Sequence, residues 1–242
     1  MPASSNIISS NVSSDPTLGG APLHLKVSPR ARRMRLKVDP RSRAVILTVP
    51  RRVSERRALA WAAQHEAWVA ETLAAMPEAA AIAPGAVIPV EGVPHRLDWD
   101  PARPRRIEAA DGRLVAGGPA EGLEGRVLRW LKARALALLE PETRVLAAKA
   151  GVAVARVAVG DPVSRWGSCS SSGTIRYSWR LIMAPKFVRR ATVAHEVAHL
   201  VHMNHGPQFH ALVEKRLEED PAPARRWLRR EGAALHRIGS RA

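Results

Sequence analysis

Thiols are almost absent from this sequence: Cys169 is its only cysteine. One thiol builds no internal disulfide framework, fits a reducing compartment such as the cytoplasm, and falls short of the several thiolates of a zinc finger or ribbon. Aromatic residues are scarce at 4%, and because seven of them are Trp, large-residue packing rests on a few positions. No apolar run reaches the roughly eighteen residues of a membrane-spanning helix, so no membrane partner is expected. Residues 1–20 lack a basic start followed by an apolar stretch, so no signal peptide is expected; rich in Ser and Asn, they read as a disordered tail. Acidic residues are also in short supply, 22 against 38 Lys and Arg, for a net charge of +16. Such an excess draws polyanions, nucleic acid or nucleotides among them. The Arg residues are nevertheless spread along an Ala-rich chain, which is also how a compositional bias looks.

What is present is enough apolar residue, 46%, to bury a core. Residues 23–27, 32–38 and 44–49 alternate apolar and polar, as in Met34-Leu36-Val38 and Val45-Leu47-Val49, and predict a small antiparallel sheet. Ser54 opens a helical pattern through Leu59, Ala62, Val69 and Leu73 that fades at Met76-Pro77, with Trp61 and Trp68 on one packed side. Residues 87–99 and 105–115 predict further hairpins, the second turning at Asp111-Gly112. Residues 121–150 predict a long helix that Pro141 breaks or kinks. Strands over 152–159 and 174–181 flank a turn-rich Gly167-to-Gly173 stretch. Pro185 opens a helix ending near Asn204-His205-Gly206, Pro207 starts another, and a basic helix over 222–236 carries Arg225, Arg226, Arg229 and Arg230. No internal repeat is visible. The fold class is α+β, divided into a tail (1–20), a β-rich part with one helix (21–120), a helical core (121–220) and a basic C-terminal helix (221–242).

The chemistry concentrates in His195-Glu196-Val197-Ala198-His199. Residues four apart on a helix stand one turn above each other, so two imidazoles face one point, as a tetrahedral zinc requires. Glu196, beside the first of them, can take a proton from a zinc-bound water. A His-rich face with solvated imidazoles is the plainer alternative, but an unpaired Glu in an apolar helix is costly without a purpose. A catalytic zinc takes a third protein ligand, with His202, His205, His210 and Glu214 in range. His202, on the same straight helix, cannot complete a tetrahedron. His205 lies past the expected helix end, where Asn204 or Gly206 turns the chain back. Glu214 suits peptidases that draw a Glu from the following helix, so spacing favours His205 without closing the choice.

Together Arg165-Trp166-Gly167-Ser168-Cys169-Ser170, the stretch 175–185, His195-Glu196-Val197-Ala198-His199-Leu200, Asn204-His205 and Phe209 resemble the YgjP-like family of predicted metallopeptidases, itself similar to the SprT-like and WLM zinc proteases. The resemblance covers about residues 30–217 and is strongest from Arg165 onward. It implies a zincin-like core, zinc on His195, His199 and His205, Glu196 as catalytic acid/base, and the Trp166–Cys169 hairpin packed beside the metal helix as a strand for substrate. Two positions depart from it, Ala191 where the family often has Tyr and His210 where it often has Trp. Cys169 reads as a packed thiol rather than a fourth ligand, since a fourth would close the catalytic position. Arg165 and Tyr177 are both able to donate to an oxyanion, but Arg165 reads equally as a solvated charge and Tyr177 as a strand residue. Trp166 and Trp179 are expected to fill the space between hairpin and helix.

The leading expectation is a cytoplasmic zinc metallopeptidase acting on peptide or protein. A nucleotide phosphoanhydride hydrolase on the same zinc is the alternative, weakened by the lack of a phosphate-cradling Gly loop. A basic nucleic-acid-binding module with structural or absent zinc is the alternative of another class, and a protease carried to nucleic acid by its charge combines the two.

Overall fold

A computed structural model describes residues 16–239 and divides the chain into two compact units at Pro77/Glu78. Expectations for residues 1–15 and 240–242 lie outside the described residues. Residues 17–18, which the sequence assigns to the tail, form a short strand with Leu18 buried.

The first unit holds β1 (Thr17–Leu18), β2 (Ala21–Ser28), β3 (Arg35–Val38) and β4 (Val45–Pro50) in the order β1-β2-β4-β3. Alternation buries Val45, Leu47 and Val49 on one face, as expected. β3 pairs antiparallel with β4, but β2 runs parallel to it, so the sheet is mixed. Alternation reports which face is buried and is silent on strand direction. Where one helix is expected there are two, α1 (Glu55–Ala63) and α2 (Glu66–Ala74), interrupted at Gln64-His65. The Ser54 hydroxyl caps α1 by accepting from the Arg57 N–H. Ala58, Ala62, Val69 and Leu73 bury against the sheet strands, whereas Trp68 is 46% exposed and does not serve the core role expected of it.

The second unit opens with β5 (Val87–Val90), β6 (Val93–Asp100), β7 (Ile107–Ala110) and β8 (Arg113–Gly117), ordered β5-β6-β8-β7. Tight turns at Glu91-Gly92 and Asp111-Gly112 place both residues at positive φ, the second as the Asp-Gly pair predicts. β6 and β8 are parallel, so this sheet repeats the strand order of the first although the sequences show no repeat. α3 (Leu123–Ala150) follows and is continuous through Pro141. Proline removes one backbone hydrogen bond, and the apolar face of Val127, Leu131, Ala135, Leu139 and Leu146 holds the helix regardless.

β9 (Arg156–Gly160), β10 (Gly167–Cys169) and β11 (Thr174–Ser178) make a three-stranded sheet with β10 on its edge. A 3₁₀ turn (Trp179–Ile182) leads to α4 (Lys186–Ala198), then α5 (Pro207–Leu217) and α6 (Ala222–Arg237). The core joins Leu131 and Leu139 of α3, Ile175 and Tyr177 of β11, and Val193 and Val197 of α4. α6 belongs to this unit, with Ala224 and Leu235 buried and the buried Arg180 guanidinium donating to the carbonyl of Ile238 at 2.9 Å. The fold is α+β, strand-rich first and helical after, with the β10 hairpin packed beside α4. Among the described residues no helix is long and apolar enough to cross a membrane.

Candidate metal centre

α4 is positioned by charge as well as by apolar packing. Arg189, 2% exposed, donates to Glu142 of α3 at 2.8 and 3.1 Å, with Glu91 at 3.4 Å. A guanidinium and carboxylate matched in this way are strongly held because neither is left alone in a weakly polar interior. Sequence reasoning missed this pair, since an Arg on a basic helix reads as solvent-facing.

The sequence expects α4 to run to residues 204–206; it ends at Ala198, with His199 as its C-cap. Turns carry the chain onward, and His199 Nδ1 donates to the carbonyl of His202 at 3.1 Å. His202 is therefore off the helix, and its backbone rather than its ring serves the site. The early ending gives the chain room to fold back before Pro207 starts α5, and His205 returns to face His195, Nε2 to Nε2, at 3.2 Å.

His195, His199 and His205 each bring a ring nitrogen within 4.8 Å of the others, and among the described residues no other His, Cys, Asp or Glu joins the group. Glu214 is exposed on α5 and lies outside it; His210 stands 6.5 Å from His205, ring to ring. Phe209 of α5 is buried against all three rings, its centroid 4.9, 4.6 and 4.7 Å from those of His195, His199 and His205. This packing limits the rings to few orientations. The donor set fits a metal. Tetrahedral ligands at about 2.0–2.1 Å lie about 3.3 Å apart, close to the His195–His205 separation, and the His199 Nδ1–H bond leaves its Nε2 lone pair free. Burial, reinforced by the neighbouring His199 and His205, pushes the His195 pKa down to about 4; burial also lowers that of His199. Both rings are thus neutral and able to donate near pH 7.

Glu196, 5% exposed, makes no hydrogen bond or ion pair among the described residues. Burial pushes its carboxyl up to about 7, opposed by the charge of Arg165. Gly167 of β10 lies directly on it: a Cβ there would stand 2.6 Å from Glu196 Cγ and Cδ, far inside contact distance. The Arg165-Trp166-Gly167 sequence gives no sign of this role, which depends on how β10 meets α4. Tyr177, paired with Gly167 across the hairpin, is fully buried with its hydroxyl 2.9 Å from that of Thr143. Burial, with Glu196 nearby, holds the Cys169 thiol above its ordinary pKa, which disfavours the thiolate a metal needs. Trp179 is buried in the core as expected; Trp166 instead packs toward α6, against Gly232 and 5.0 Å from His236.

A cleft of about 260 Å³ opens beside His195 and Glu196. Arg165 and Arg225 line it, as do Ala191 and His210, the two positions that depart from the family pattern.

No curated protein and no solved structure matches the chain significantly. A sequence model described as "YgjP-like, metallopeptidase domain" matches residues 32–231, which takes in the first ten residues of α6 as well as everything the motifs cover. Membership implies a metal ion, which the three histidines could hold. By this match, over most of its length, the chain belongs to the YgjP-like metallopeptidase domain family.

Proposed function

We propose that this protein is a zinc-dependent peptidase in which His195, His199 and His205 hold the ion and Glu196 moves the protons. The observation that carries the reading is the convergence of three imidazole nitrogens within 4.8 Å next to a buried carboxylate that has no partner among the described residues. When bound, zinc supplies Lewis acidity, polarising the scissile carbonyl and lowering the pKa of a water at the site. Glu196 accepts the proton of the attacking water and returns it to the departing nitrogen. Its burial suits that exchange, because a carboxyl titrating near 7 both takes and gives a proton at neutral pH. Arg165 favours the charged form, and Gly167 lets the edge strand approach the carboxylate.

The test pairs metal content with hydrolysis. Wild type should carry about one zinc per chain, and His205→Ala should lose it on dialysis. Glu196→Gln should keep the zinc and cleave casein or peptides about 10³-fold more slowly. Undiminished cleavage by Glu196→Gln, or wild type that takes up no metal, overturns the reading.

One observation favours a second reading. Arg165 and Arg225 at the cleft suit the phosphates of a nucleotide, which the same metal would help hydrolyse. Comparing nucleoside triphosphates with peptides as substrates separates the two.

A further inference from the structure

The cleft beside Glu196 has two distinct kinds of wall. Val213 of α5, Ala224 and Leu228 of α6, and Ala191 of α4 give it an apolar side. Arg165, from the segment before β10, and Arg225, in the first turn of α6, bring charge to it, and among the described residues Glu196 is the only acid that lines it. Some arginines elsewhere in this unit are held by carboxylates, Arg189 by Glu142, Arg180 by Asp161 and Arg144 by Glu140. Among the described residues Arg165 and Arg225 have no carboxylate partner, although both stand close enough to the centre for their charge to bear on it, Arg165 on Glu196 and Arg225 on His195. A partly apolar cavity with two guanidiniums and a single carboxyl carries a net positive charge, which a substrate carboxylate complements.

Resting on the peptidase reading, we propose that this cleft is a substrate side-chain pocket that takes a large apolar residue next to the scissile bond, with a substrate carboxylate held by Arg165 and Arg225. About 260 Å³ accommodates a Leu- or Phe-sized side chain and is poorly filled by Ala. The guanidinium fork matches a carboxylate in shape and charge. Two sources present that group: the free C-terminus of a peptide, or the Asp or Glu side chain of a neighbouring residue.

A short peptide series on the zinc-loaded protein tests the proposal. Peptides of one sequence carry Leu, Phe or Ala beside the scissile bond, a free or amidated C-terminus, and Asp or Asn at the adjoining position. The expected result is kcat/KM about tenfold higher for Leu or Phe than for Ala. A carboxylate should raise it about five- to tenfold over its neutral counterpart, an advantage that shrinks as salt rises. An effect of the C-terminus alone assigns the terminal carboxylate, and an effect of Asp alone assigns the side chain; either supports the proposal. Arg225→Glu, checked for retained zinc, should reverse the preference toward Lys-bearing peptides. Leu228→Trp should fill the pocket and turn the preference toward Ala.

Calorimetric titration of the same peptides into Glu196→Gln protein reads their order of binding without catalysis. Equal kcat/KM across the series, with cleavage intact, overturns the pocket and leaves the peptidase standing. Binding of a nucleoside triphosphate to the Glu196→Gln protein, with no discrimination among the peptides, overturns it as well. Failure of the peptidase reading itself shows differently, as no cleavage of any peptide by zinc-loaded wild type.

Discussion

Two charged residues lie buried on one helix, about two turns apart, and are treated in opposite ways. Arg189 is 2% exposed and locked to Glu142 and Glu91, so its charge fastens α4 to α3 and to the β5–β6 turn. Glu196 is 5% exposed and paired with nothing among the described residues; a cleft opens beside it and a glycine backbone lies against it. A buried charge with partners builds structure. A buried carboxyl kept without partners costs stability, and its proton becomes available for exchange.

Four perturbations break or sharpen this contrast. The largest is the rate loss of Glu196→Gln, about 10³-fold, with zinc content unchanged and thermal stability held or raised; a fall in melting temperature matching the rate loss would make Glu196 structural too. Arg189→Ala should do the reverse. It strands Glu142 and Glu91, which water partly reaches, and should cost about 3 kcal/mol in urea unfolding; the double variant Arg189→Met, Glu142→Leu should recover much of it.

The third perturbation is pH, applied to metal-free protein. The Glu196 pKa is about 7 folded against 4.5 unperturbed, so the group's contribution to stability is full below 4.5 and lost as pH rises toward 7. His195, about 4 against 6.5, works the other way and destabilises as pH falls from 6.5 to 4. The two oppose each other in wild type. Glu196→Gln removes one of them, so relative to wild type it should gain up to about 3 kcal/mol between pH 4.5 and pH 8. A constant difference across that range would mean that Glu196 is solvated.

The smallest effect is expected for Gly167→Ala. The added methyl meets Glu196 Cγ and Cδ, so the carboxylate must turn or β10 must withdraw. Activity should drop by up to about 10²-fold with zinc retained, whereas the neighbouring exposed-edge change Ser168→Ala should leave it near wild type.

Much of this was legible in the chain. The four-residue spacing of His195 and His199, the Pro207 start of α5 and the Asp111-Gly112 turn are local features, written in a few adjacent residues. Features that depend on which segment meets which were not. Strand direction in both four-stranded sheets and the exposure of Trp68 are of this kind, while the break at Gln64-His65 and the early end of α4 are marked by local turns that apolar periodicity does not register. Spacing favours His205 over Glu214 without separating them; the turn after His199 carries His205 to 3.2 Å from His195, while Glu214 stays on an exposed face.

The sequence by itself determined that His195 and His199 share one helix and face one side of it, because helical periodicity turns spacing directly into direction. Tertiary structure alone decided that Glu196 is buried, that Gly167 lies against it, and that, among the described residues, Arg189 has carboxylate partners while Arg165 and Arg225 have none. Burial and pairing are properties of surfaces brought together from distant parts of the chain, and no short window of residues encodes them.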